Sequence, residues 1–412
     1  MSTETPTPAI ALQAEKLVGE LLFGRRGRET PFAVAREISL LGPVISTRQN
    51  IHFTTKYDIS RLVLRDQRFG RQPIDQRAEV DPKLAGTPLE RWERSVLPYN
   101  NPPDHTRLRV LVGSALSVAQ MEATRPLVRR HFLHRLEELA GKGSADLVTD
   151  LFAPLPNWVM CELLGIDEAD RAQVWEWTRL RSESLQRTTT DVSIDATNQA
   201  LSESEDFFLE LIRERRTAPQ DDLVSRFTQA RNGDDRLTDH EIAANINQLF
   251  VAGFDTVKYT LGNAAALLLD HPAEMAKLVA EPKLISNCLD EVLRFESGMA
   301  IVPPRHVLED VELNGTRLAT GTRVCVILHC ANRDPLEFDR PDLFLVDRPN
   351  PRPLTFGGGI HRCLGAPLAR VQAQEFLRAL VDLGLHERWT QKQRALSADP
   401  HRRGPDRLEV TF

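Results

Sequence analysis

The sequence predicts a mainly α protein, a helix-rich single domain with small β-sheets. Three observations lead there. Most of the chain is helical by pattern, and only two regions read as strands. No low-complexity linker, internal repeat or composition break divides the 412 residues. Apolar residues make up 41% and charged ones 27%, the balance of a globular chain long enough for a core that encloses a cofactor.

Residues 1 to 10 read as a disordered tail, and 11 to 412 as the single domain. The first strand region is Val44 to Thr54. The most telling helix is expected over Asp239 to Asp270, where Thr238 with Glu241 forms a capping box and His271-Pro272 supplies the stop. At about 1.5 Å per residue it is roughly 45–50 Å long and crosses the whole molecule. Pro282 opens a helix that carries Glu291 and Arg294 on one face. Val311 to Leu328 is the second strand region, with Asn314-Gly315 as a hairpin turn. The Pro-dense stretch from Pro335 to Pro353 reads as ordered but irregular, and Leu364 to Leu383 as a helix.

Composition excludes several function classes. A net charge of −6 without a long basic run leaves no nucleic-acid footprint. The longest apolar run, around Ala264 to Leu269, is far short of a membrane span, and the N-terminus lacks the features of a secretory signal. Five scattered cysteines argue against a disulfide framework and for a reducing, cytosolic compartment. Cys161, Cys288, Cys325 and Cys330 sit in apolar runs and read as core.

Cys363 is different. It follows the glycine-dense Phe356-Gly357-Gly358-Gly359-Ile360-His361-Arg362 and precedes a helix. Loop and first-turn amides can point at its sulfur, and the helix dipole favours negative charge there, so the position suits a thiolate. Three glycines would let backbone approach a large flat ligand. A small buried cysteine beside an ordinary turn is the plain alternative; a P-loop lacks its Gly-Lys-Ser/Thr ending, and zinc lacks further ligands nearby. The ten-residue pattern from Phe356 to Gly365 resembles the haem-binding signature of the cytochrome P450 superfamily. That resemblance implies the cytochrome P450 fold around a buried haem b, with the Cys363 thiolate as axial iron ligand.

Other segments fit the same resemblance. In Ala252-Gly253-Phe254-Asp255-Thr256, Gly and Thr make a poor local helix sequence, and the Thr256 hydroxyl can bond back to the Ala252 carbonyl. A Gly admitting a neighbouring helix beside an ordinary Thr would explain the same residues. In the family, an acid–alcohol pair at this place manages protons at the oxygen site, which would be Asp255 and Thr256. Glu291, Arg294 and Arg348 match the family's structural Glu-x-x-Arg element and its completing Arg. His105 and Arg109 share a helix face, and with Arg305 and His361 they fall where the family contacts the haem propionates. Pro353 departs from the pattern, standing where a His is frequent.

The implied activity is a haem-thiolate monooxygenase that inserts one oxygen atom from O₂ into a small, largely apolar substrate. Rivals are a peroxide-driven or non-oxygenating enzyme of the same fold, which needs no acid–alcohol pair, and a haem sensor without turnover. With no flavin or iron–sulfur module in the chain, electrons come from a separate protein, in this family usually a ferredoxin with its reductase. Arg109, Arg352 and Arg362 are candidate docking charges. Substrate-pocket candidates are Asn245, Leu249 and Ala252 on the long helix, Met299, Ile301 and Val302, and the segments 85–99 and 172–195. Asn245 is polar on that face and could bond a substrate oxygen; a helix-solvating or helix–helix contact is the other reading.

Overall fold

The computed structural model describes residues 8–73, 75–76, 84–185, 193–400 and 402–412. The helices that position the site are α1 (Pro8–Phe23), α2 (Pro31–Ser39), α3 (Tyr57–Arg65), α4 (Pro88–Ser95), α5 (Asp104–Ala115) and α6 (Arg125–Gly141). They continue with α7 (Pro154–Leu164), α8 (Arg171–Leu185), α9 (Ile194–Thr217), α10 (Asp239–Asp270), α11 (Ile285–Phe295) and α12 (Ala366–Asp382).

The centre of the molecule is α10. Its bounds are those the sequence predicts, and both halves of the Thr238/Glu241 capping box are made. Its small residues Ala264 and Ala265, together with Ile242, Ile246, Phe250, Val257 and Leu261, are buried in one continuous core shared with α6, α7, α9, α11 and α12. Residues this apolar on several faces belong to a helix surrounded by others, which is why no simple amphipathic stripe marks it.

A five-stranded sheet has the order β1 (Val44–Ser46), β2 (Ile51–Thr54), β8 (Arg323–Val326), β5 (Arg305–Val307) and β3 (Phe69–Gly70). Only the β2–β8 pair is parallel. β6 (Val311–Leu313) and β7 (Thr316–Leu318) form the hairpin expected at Asn314-Gly315; both residues have positive φ, 49° and 79°. The second strand region therefore divides between two sheets, and it ends at Val326, because Leu328 already begins a short helix, Leu328–Ala331. A third sheet of β4 (Ser144–Asp146), β10 (Pro405–Thr411) and β9 (Thr390–Leu396) escapes sequence reading. β9 is Thr-Gln-Lys-Gln-Arg-Ala-Leu, mostly exposed, so it carries no apolar alternation.

The expected tail needs correction. Residues 1–7 lie outside the described residues, but 8–10 belong to α1. Ala14, Val18 and Leu21 recur at helical spacing and pack on Val34, Ala35 and Ile38 of α2, which anchors the helix. Cys161, Cys288, Cys325 and Cys330 are buried as expected, and burial pushes the Cys161, Cys325 and Cys330 thiols up to about 12. α12 starts at Ala366, two residues past the predicted Leu364, with a Pro in its first turn, where a missing N–H costs nothing.

Candidate active site

Cys363 is the one cysteine not buried. Its N–H donates to the Phe356 carbonyl at 2.9 Å, closing the loop on itself. Surrounding protein raises the thiol, while the Gly365 and Ala366 amides and the Arg109 and Arg362 charges pull it down. The balance is upward without a metal. A cation bound to the sulfur is what turns it into a thiolate.

The glycines do something other than expected. Gly357 and Gly359 have φ of 68° and 62°, conformations that L residues avoid. A Cβ at Gly359 would stand 2.8 Å from the Leu64 carbonyl and the Arg65 Cα, and one at Gly358 3.1 Å from the Arg65 side chain. The close approach they allow is thus to the backbone of α3, so the loop is seated on protein at that side.

Beside this loop lies a cluster of arginine and histidine side chains. His105 and Arg305 are 1% and 2% exposed, and His361 stands edge-on to His105 with ring centroids 4.4 Å apart. Both ring nitrogens of His105, Nε2 of His361, and Nε and Nη1 of Arg305 are buried without a hydrogen-bond partner. Burial, then the neighbouring positive charges, push His105 down to about 4, His361 to about 2 and Arg305 to about 9. Arg109 is on the same face of α5 as His105 and donates through Nη1 to the Arg362 carbonyl at 2.7 Å. Sequence reasoning missed Arg71, whose Nε is likewise buried and unpartnered and whose charge is felt by His105, His361 and Arg305. Among the described residues no ion pair neutralises any of these groups. Donors left unpaired in a buried place fit a bound dianion such as the two propionates of haem, held beside a cysteine sulfur.

A second locus is the middle of α10. Ala252 is exposed there although the helix is central, and a Cβ on Gly253 would meet nothing within 4 Å, so this face opens onto free space rather than a packed neighbour. Thr256 Oγ1 donates to the Ala252 carbonyl at 2.7 Å, the back-bond expected from the sequence. Asp255, 3% exposed, is held from three elements. Ser182 of α8 donates to Oδ2 at 2.5 Å, Lys258 Nζ lies 3.2 Å from Oδ1, and Arg402 Nε, from the loop joining β9 and β10, lies 3.8 Å from Oδ2.

The pocket candidates separate. Asn245 is 2% exposed and its amide is spent: Nδ2 donates to the Ser95 and Glu241 carbonyls, and Oδ1 accepts from Leu97 N–H. It ties α10 to the end of α4 and the residues after it, so of the two readings the helix contact holds and the substrate contact does not. Ile301 also turns away, packed with Ala14, Val18 and Phe53 in the core under the N-terminal helices. Leu249 is half-buried against the main core, and Met299 and Val302 are half-buried against the core of the five-stranded sheet. Part of the segment 172–195, residues 186–192, lies outside the described residues.

Beneath the loop, Glu291 and Arg294 are essentially inaccessible and Arg348 is 5% exposed. Arg294 donates to both carboxylate oxygens of Glu291 at 2.7 and 2.8 Å, and Arg348 Nε to the same oxygens at 2.9 and 3.0 Å. Arg294 further donates to the carbonyls of Asn332, Pro341 and Leu343. One carboxylate and two guanidiniums thereby fix the irregular Pro-rich segment that leads into the cysteine loop.

A helical fold with small sheets, an accessible cysteine at a helix start and a buried anion cradle beside it define a haem-thiolate protein. The comparisons agree. The Cytochrome P450 family matches residues 46–383, and the chain belongs to that family. It is 34% identical over 359 residues to the 6-deoxyerythronolide B hydroxylase of Saccharopolyspora erythraea, covering 85% of this chain and 86% of that one. It is also 34% identical over 350 residues to the mycinamicin IV hydroxylase/epoxidase of Micromonospora griseorubida, covering 82% and 85%. The crystal structure of P450BioI with an acyl carrier protein ligated to hexadec-9Z-enoic acid superposes with a TM-score of 0.85 at 28% identity, covering 93% of this chain and 98% of that one. The protein is a cytochrome P450 monooxygenase, and its cofactor is haem held by a cysteine thiolate.

Proposed function

We propose that this monooxygenase oxidises an apolar secondary metabolite of macrolactone type, with Thr256 and Asp255 handling protons and a ferredoxin supplying electrons in the cytoplasm. The observation that carries the site assignment is the open face of α10, where an exposed Ala252 and a Gly253 with no neighbour stand beside the Thr256 hydroxyl. Support for the substrate class comes from the relatives, whose names specify hydroxylation of 6-deoxyerythronolide B and of mycinamicin IV.

When bound, haem supplies reductive activation of O₂ and insertion of one oxygen atom. The chain's own residues do the rest. Cys363 would hold the iron from the helix start, and Arg305, His105, His361 and Arg109 would hold the propionates. The Thr256 hydroxyl, back-bonded to the Ala252 carbonyl, keeps a fixed donor and acceptor at the open face. Asp255 is a proton source that must leave Ser182, Lys258 or Arg402 to reach that face. Arg352 and Arg362 are exposed near the cysteine loop and suit an acidic docking partner, with the half-buried Arg109 behind them.

The test is a titration of the ferric enzyme with macrolactones, fatty acids and steroids, followed by turnover with O₂, ferredoxin and reductase. The expected result is a low-to-high-spin shift and an oxygenated product from a macrolactone. A shift with fatty acids alone, or turnover with peroxide but none with O₂, would overturn the proposal.

A further inference from the structure

Arg71 stands just beyond β3, and no pattern in the sequence marks it. β3 pairs antiparallel with β5 through Phe69–Val307 and Gly70–His306. Continuing that register by one residue sets Arg71 directly opposite Arg305. Side chains so placed share a face with Cβ atoms about 4.5–5.5 Å apart, and like charges there are destabilising. The backbone at Arg71 is nevertheless clamped in place: its N–H donates to Asn101 Oδ1 at 2.8 Å and its carbonyl accepts from Asn101 Nδ2 at 2.9 Å. Its Nη1 reaches the Pro304 carbonyl at 3.3 Å, alongside the segment that delivers Arg305. Nε of Arg71 and Nε and Nη1 of Arg305 are all buried without partners. Two guanidiniums brought to one side of the sheet, each with unspent buried donors, suit a bound anion.

We infer that Arg71 and Arg305 together clamp one haem propionate, making Arg71 a cofactor-binding residue that helps set the haem potential. This rests on the haem-thiolate assignment made above. A cation held at this edge favours the ferrous state, whose net charge is one unit more negative, and it adds one charge-assisted hydrogen bond to the cofactor's retention. Burial weakens the charged form of Arg71, as it does that of Arg305, so a negative group bound there would stabilise both guanidiniums.

The experiment compares Arg71→Gln and Arg71→Lys in the haem-loaded enzyme. Arg68→Gln serves as control, because Arg68 is a nearby exposed cation already paired with Asp66. Three quantities are read: the ferric/ferrous potential, the rate of haem transfer to apomyoglobin, and binding of phenylimidazole and carboxyphenylimidazole. Arg71→Gln should shift the potential negative and speed haem loss roughly ten-fold, the size of one hydrogen bond to a charged group. Arg71→Lys should recover part of both, and the two azoles should respond alike. A potential and loss rate matching Arg68→Gln would overturn the assignment. Selective weakening of carboxyphenylimidazole, with potential and haem loss unmoved, would give Arg71 to a substrate carboxylate instead. The carbon-monoxide spectrum of the wild type separates the failures: a normal thiolate band with an unmoved potential sinks only Arg71, and an absent band sinks the haem-thiolate assignment as well.

Discussion

Thr256 and Asp255 are neighbours in sequence with opposite surroundings. The hydroxyl sits at an open face, satisfied by one carbonyl of its own helix. The carboxylate is buried and held by a serine, a lysine and an arginine from three parts of the fold. On the proposed roles, the proton-donating carboxylate would start from a tethered position, and the hydroxyl would be the fixed station of the pair. If that division is right, Thr256→Ala leaves electron uptake running but lowers product per electron by about a hundred-fold, the lower end of the scale of one positioned proton-transfer group. The balance appears as hydrogen peroxide, measured against cofactor consumed. An unchanged coupling ratio in the variant would remove Thr256 from the mechanism. At this scale the sequence was legible where chemistry and local spacing coincide, as at Cys363, His105 with Arg109, and Thr256 with Ala252. It was not legible where the partner is brought by the fold. Arg71 meets Arg305 only through a two-residue strand, and the bonds that consume the Asn245 amide come partly from Ser95 and Leu97.

Among the elements, the cysteine loop depends on what lies under it. The glycines seat it on α3, and the Pro-rich approach to it is fixed by Glu291, Arg294 and Arg348. A buried carboxylate shared by two guanidiniums is expensive to break, since removing its charge strands two buried cations. Glu291→Gln should cost roughly 3–5 kcal/mol in unfolding free energy, or yield protein that retains little haem. Urea titration together with haem content per chain measures this. A fully loaded variant of unchanged midpoint would show the set to be dispensable. Helix α10 was legible at both ends because its cap and stop are local signals. β9 and β10 were invisible because β9 is polar and mostly exposed, and the pairing of β10 with β4 joins residues more than 260 positions apart. Ile301 was misplaced for a related reason. In a short extended segment, which side chain meets the pocket and which the core is set by strand register, here a bridge to Ile327.

The whole molecule carries a built-in response to acid that is separate from its chemistry. His131 of α6 stacks on Trp158 of α7 with ring centroids 4.0 Å apart, and burial, then Arg135 and His134, push it down to about 4. A folded-state histidine below its ordinary value favours the neutral form. The unfolded chain then binds the extra proton, so this contribution to stability is full above about pH 6.5 and is lost as pH falls toward 4. The loss is on the order of 1–2 kcal/mol for a half-buried ring screened by solvent. His131→Phe should make the fall in urea midpoint between those pH values shallower by that amount while leaving neutral-pH stability nearly unchanged. A fall as steep as in the wild type would place the acid sensitivity elsewhere.

At this same scale the helical core, the sheets and the cation cradle all converge on one sulfur, Cys363. Its environment raises the thiol in the absence of a metal and supplies two amides and two arginines to receive a thiolate. The measurement that bears on it most directly is the carbon-monoxide difference spectrum of the reduced, haem-loaded protein. The thiolate assignment predicts the red-shifted Soret band of a cysteine-ligated haem, and its loss in Cys363→His with haem still bound. A wild-type spectrum without that band, or a Cys363→His variant that keeps it, would contradict the assignment at its root.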